Sequence, residues 1–155
     1  MTISLPEEDR SYLSKRYMED RIVGLLGGRV AEQLCLGDIS TGASNDIQRA
    51  TSIARKMVAS YGMSEKLGTV AFDSGHDEVF IGRTMGQSRG YSEAVAAQID
   101  EEVKNIVNAA YSRCETILTA QRKQLDVVAN YLLENETMER EAFLAVFEPA
   151  EQNED

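Results

Sequence analysis

The sequence holds a single histidine, His76. A helix-borne HExxH zinc site needs two histidines one turn apart with a glutamate base between them, so these residues cannot build one. A Ser-His-Asp arrangement would have to use His76. That residue stands in Asp73-Ser74-Gly75-His76-Asp77-Glu78, with no G-x-S-x-G elbow nearby, and reads as a solvent-exposed loop histidine. Asp73, Asp77 and Glu78 offer hard oxygen donors, but their spacing does not follow an EF-hand loop. There is no P-loop and no G-x-G-x-x-G. Cys35 and Cys114 form no C-x-x-C and sit among apolar residues at helical spacing; they read as two buried thiols, with one disulfide as the alternative. One segment remains: Thr41-Gly42-Ala43-Ser44-Asn45-Asp46-Ile47. Two readings of it stay open. Asn45 and Gln48 suit a capping-box variant, with Asp46 welcome in the first helical turn. Alternatively, Asp46 projects from a rigid helix start into a cleft and its carboxylate ligates a metal.

The elements that would position Asp46 follow from periodicity. Apolar Met18, Ile22, Leu25, Leu26, Val30, Leu34 and Cys35 predict a helix over residues 14–36, stopped by Gly37. Gly27 and Gly28 lie inside it, at a cost of about 1 kcal/mol each relative to alanine, which suggests a close backbone approach or a bend. Ile47, Ala50, Ile53, Ala54, Met57, Val58 and Tyr61 mark a second helix ended by Gly62. Residues 70–72 and 79–81 read as the arms of a small β-hairpin. A long helical pattern starts at Ser92 and runs through Leu132, with a break expected over residues 119–123. Thr137 reads as the N-cap of a last short helix carrying Phe143, Leu144 and Phe147. The fold expected is mainly α, a helical bundle with that hairpin, over residues 1–148, and residues 149–155 form an acidic, disordered tail.

Composition narrows the partners. Of 155 residues, 26 are Asp or Glu against 16 Lys or Arg, for a formal net charge of −10, and no basic patch offsets it. A phosphate backbone would be repelled, so a nucleic-acid partner is excluded. No signal peptide or membrane-spanning stretch is visible, and the chain reads as soluble.

The motifs point further. Leu25-Leu26-Gly27-Gly28-Arg29-Val30-Ala31-Glu32, Gly37-Asp38, the segment from Thr41 to Ile47, and Gly62-Met63-Ser64-Glu65-Lys66-Leu67-Gly68 closely resemble the FtsH family of ATP-dependent zinc proteases. So do Ile99-Asp100-Glu101-Glu102-Val103, Ala110-Tyr111, Leu132-Leu133-Glu134-Asn135-Glu136-Thr137 and, upstream, Leu5-Pro6-Glu7-Glu8-Asp9. The resemblance is collinear over nearly the whole chain. It implies a bundle of the FtsH peptidase-domain type, from a membrane-anchored hexamer at the cytoplasmic face of the cell membrane. That family unfolds and degrades membrane and cytosolic proteins.

By the same resemblance, Asp46 matches the third protein ligand of zinc, whose other ligands are the histidines of an HExxH helix. Glu32, Ser44 and Asn45 lie near the site, and Ile3, Ser4 and Leu5 match an edge strand beside the cleft where an unfolded substrate would pair. The HExxH helix, the transmembrane helices and the ATPase domain that uses ATP and magnesium all lie N-terminal to the matched part. The chain alone is therefore expected to bind no zinc and to cleave nothing. Its uncovered apolar face is expected to close by self-contact, as a dimer. The alternative is a non-catalytic helical module for oligomerisation or partner binding derived from that family.

Overall fold

The computed structural model describes residues 12–72 and 91–147. Within them lie α1 (Lys15–Leu36), α2 (Ser44–Ala59), α3 (Glu93–Ala120), α4 (Arg122–Asn135) and α5 (Arg140–Ala145), with a 3₁₀ turn at Thr41–Ala43 leading into α2. The architecture is mainly helical, as the periodicity predicts.

Both ends of α1 have local causes. The Ser14 side chain accepts the Tyr17 N–H at 3.2 Å, and Gly37 closes the helix at φ 67°, its N–H bonded to the Gln33 carbonyl at 3.2 Å. A serine N-cap and a left-handed glycine satisfy backbone groups that the helix leaves unpaired. Met18, Ile22, Leu26 and Val30 are buried in one i+4 row. From α2 come Ala50, Ala54, Met57, Val58 and Ala59, and from α3 Ile99, Val103 and Ala110. Ile22, Met57, Ile99, Val30 and Val58 are the largest fully buried side chains, each worth about 1.5–3 kcal/mol of burial. Arg113 of α3 pairs with Asp20 of α1 at 2.6 Å, and Arg55 of α2 with Asp100 of α3 at 2.7 Å. These are half-exposed pairs, so they fix register more than they stabilise.

The turn after α2 is fastened to α3. Gly62 takes φ 59°, and buried Ser64 donates to Glu102 at 2.7 Å while accepting the Leu67 N–H at 3.2 Å. Lys66 pairs with Glu101.

Contacts group the chain into two compact units, residues 1–114 and 115–155. In the second, α4 and α5 bury no side chain. Phe143 and Phe147 meet at 5.2 Å between ring centroids, yet both remain exposed, as do Val127, Tyr131, Leu132, Leu133 and Leu144.

Several expectations need correction. The first arm of the hairpin, residues 70–72, is not a strand; the Phe72 N–H bonds to the Ala59 carbonyl at 2.7 Å and its ring meets Tyr91 edge-on at 5.9 Å. A tertiary partner at the end of α2 thus overrides β propensity. The second arm and His76 lie outside the described residues, as do residues 3–5 and 149–155. A Cβ added at Gly27 or Gly28 would meet nothing within 4 Å, so no close approach within the described residues explains them. Cys35 and Cys114 are free thiols, but only Cys114 is buried, since Cys35 faces away from the core row. Burial pushes the Cys114 thiol above its ordinary pKa. Thr137 does not cap α5, which starts at Arg140 with Glu139 as its N-cap. The Thr137 N–H donates to the Asn135 carbonyl at 2.7 Å, in the turn that follows α4. The break in the long helix falls at Gln121, inside the expected window.

Candidate functional site

Asp46 lies in the first turn of α2, where a carboxylate is favoured by the unpaired amides of the helix start. Its side chain is about half exposed and, among the described residues, makes a loose 3.5 Å ion pair with Arg49 one turn on. A helix start gives that carboxylate a rigid mount.

The cap is not where the sequence suggested. The N-cap of α2 is Ala43, without a side-chain bond, so Asn45 and Gln48 form no capping box. Ser44 and Asn45 are both exposed. The cap lies one turn upstream, at Ser40, whose hydroxyl accepts the Gly42 N–H at 3.1 Å and opens the 3₁₀ turn that continues into α2. Sequence reasoning passed over Ser40 because a 3₁₀ entry moves the cap away from the periodic residues. The pattern Ser40-x-Gly42 was the available signal.

Glu32 holds that cap from α1. One carboxylate oxygen accepts the Ser40 hydroxyl at 2.8 Å and the other the Ser40 N–H at 3.2 Å. The hydroxyl, then the amide, hold the Glu32 carboxyl below the usual carboxylate range, and nearby Arg29 adds to the effect. Arg29 itself donates to the Ser40 carbonyl at 3.0 Å. Glu32, expected near the site, is thus joined to the loop that precedes Asp46.

A zinc ion needs about three protein ligands plus water, or four. Among the described residues no group of three or more His, Cys, Asp and Glu is arranged to hold a metal. Asp46 offers a carboxylate of the kind that zinc accepts, but the described residues do not make up a whole zinc site. Among the described residues no helix is long and apolar enough to cross a membrane.

The chain matches, over residues 1–146, the family described as Peptidase family M41. It is 56% identical over 146 residues to the ATP-dependent zinc metalloprotease FtsH 1 of Thermoanaerobacter sp., covering 94% of this chain and 24% of that protein. Identity is 52% over 146 residues with ATP-dependent zinc metalloprotease FtsH 2 of Alkaliphilus metalliredigens (94% of the chain, 21% of that protein). With ATP-dependent zinc metalloprotease FtsH of Bacillus subtilis it is 48% over 140 residues, or 90% of this chain and 22% of that protein. The chain thus spans about a quarter of the length of the curated relatives it matches.

Proposed function

The chain belongs to peptidase family M41, and from that membership we propose that it is the C-terminal portion of the proteolytic domain of an ATP-dependent zinc endopeptidase. Its part in that enzyme is to present Asp46 as one zinc ligand. The remaining protein ligands come from an HExxH helix outside these residues, and the ATPase domain that uses ATP and magnesium lies outside them too. The intact protein is a membrane-anchored hexamer at the cytoplasmic face of the cell membrane, degrading unfolded membrane and cytosolic polypeptides. On its own the chain is catalytically incomplete.

The observation that carries this reading is the collinear match to relatives named as zinc metalloproteases, combined with a lone carboxylate on a braced helix start. The donor chemistry agrees: one histidine in 155 residues cannot supply the imidazoles that a zinc peptidase needs. Ser44 and Asn45 set the local backbone at Asp46, and Glu32 steadies the approach from α1. By the same family membership, Ile3, Ser4 and Leu5 belong to the part of the domain that meets the substrate.

The test is the Asp46→Asn substitution in a protein that joins this chain to an HExxH helix. Zinc content and peptidase activity should both fall, with the fold unchanged by circular dichroism. Full zinc occupancy and full activity would rule out Asp46 as a ligand. Zinc held by the isolated chain would favour a different, self-contained site.

A further inference from the structure

Ser40 has four hydrogen-bonding functions, and all are engaged. Its N–H and hydroxyl proton go to the two oxygens of Glu32, its hydroxyl oxygen accepts the Gly42 N–H, and its carbonyl accepts from Arg29. Glu32 and Arg29 stand at i and i−3 on α1, hence on one face of that helix. An anion therefore meets the donor side of one peptide residue and a cation meets its acceptor side. We propose that Arg29 and Glu32 form a clip on Ser40 that sets the start of α2 and thereby aims Asp46, with Arg29 as a positioning residue for the metal site.

The geometry favours this over a loop that merely happens to touch α1. Charged groups on both sides of one residue resist its rotation as well as its translation, and charge-assisted bonds are about twice as strong as neutral ones. From Ser40 the chain passes without a break through Thr41–Ala43 into Ser44 and α2. Any rotation at Ser40 is carried into the first turn that bears Asp46. Space is tight as well: a Cβ at Gly42 would lie 3.2 Å from the Ser40 hydroxyl and 3.9 Å from a Glu32 carboxylate oxygen. A side chain at that position would press on the Ser40 hydroxyl that Glu32 holds. Ligand positions held by outer bonds are the ordinary way proteins fix metal geometry.

The inference rests on Asp46 being a ligand, and two readouts separate the two ideas. In the 155-residue chain, amide hydrogen exchange is followed at Ser40, Gly42 and the first turn of α2 for Arg29→Ala, Arg29→Lys and Glu32→Gln. Arg29→Ala and Glu32→Gln should speed exchange at all these amides about tenfold, the size of one charge-assisted bond, while residues 54–58 keep their protection. Arg29→Lys should recover part of the protection. In a protein that joins the chain to an HExxH helix, the same variants should bind Zn²⁺ about tenfold more weakly, with Arg29→Lys in between. Unchanged exchange in the first turn of α2, or unchanged Zn²⁺ affinity once Ser40 has been freed, overturns the clip. If residues 54–58 also lose protection in Arg29→Ala, the Glu32→Gln and Arg29→Lys pair decides by the same criteria. Failure of the underlying reading looks different: Asp46→Asn would leave Zn²⁺ affinity unchanged while the exchange results stand.

Discussion

Glu32 grips Ser40 with both carboxylate oxygens, at 2.8 Å to the hydroxyl and 3.2 Å to the backbone N–H, so an acid on α1 serves as the anchor for the start of α2. The arrangement makes the approach to Asp46 depend on a charge on the preceding helix, eight residues before Ser40. It has a direct pH signature.

Because the folded Glu32 carboxyl titrates below its ordinary range, its contribution is fully present above the unfolded pKa and is lost as pH falls through the folded one. An NMR titration should show the Ser40 and Gly42 amides shifting together in acid, with a midpoint below that of an unperturbed glutamate. Glu32→Gln should remove that transition while other carboxylate titrations persist. A midpoint at or above the ordinary glutamate value would contradict the bidentate grip.

Gly62 and Gly68 offer a matched pair. Both have positive φ, 59° and 73°, but only at Gly62 would a Cβ run into backbone, 3.0 Å from the Thr69 Cα. Gly68→Ala should cost about 1–2 kcal/mol from the left-handed conformation alone. Gly62→Ala should cost more, since the chain at Thr69 must move. Urea denaturation of the two variants gives the comparison, and equal losses would show that the contact is not felt.

Ser64 is buried and bridges its own turn to α3 through Glu102. Ser64→Ala removes the hydroxyl and leaves the Leu67 N–H without its acceptor, for an expected loss of about 1–3 kcal/mol in the same denaturation experiment. A loss within error of zero would mean that the loop finds another fastening.

Gly27 and Gly28 face open space within the described residues. Replacing either with alanine should therefore stabilise this chain by about 0.5–1 kcal/mol, through helix propensity alone. A drop in the denaturation midpoint would reveal a close neighbour that packs on this face of α1.

Much of the scaffold was legible in the sequence, and the reasons are local. Ser14 and Gly37 are a cap and a stop whose chemistry acts within one turn, so α1 was placed to within a residue. The Met18, Ile22, Leu26 and Val30 row carries its own period. The failures are non-local. Phe72 follows β propensity on paper but is claimed by Ala59 and Tyr91, residues that the sequence does not place beside it. Thr137 looks like a cap, yet α5 starts only at Arg140, behind Glu139.

At the site, Asp46 and Glu32 were flagged through the resemblance. The roles of Ser40 and Arg29 emerge only when α1 and the loop are brought side by side. The Asn45–Gln48 box was read at the right helix and the wrong turn, because the 3₁₀ entry shifts the cap to Ser40.

The most direct test of the central claim is the zinc content of the purified 155-residue chain after equilibration with Zn²⁺ and dialysis at neutral pH. With Asp46 proposed as a lone ligand and one histidine in the sequence, zinc should be far below one ion per chain, and joining the chain to an HExxH helix should restore it. One tightly held zinc per isolated chain would contradict the account.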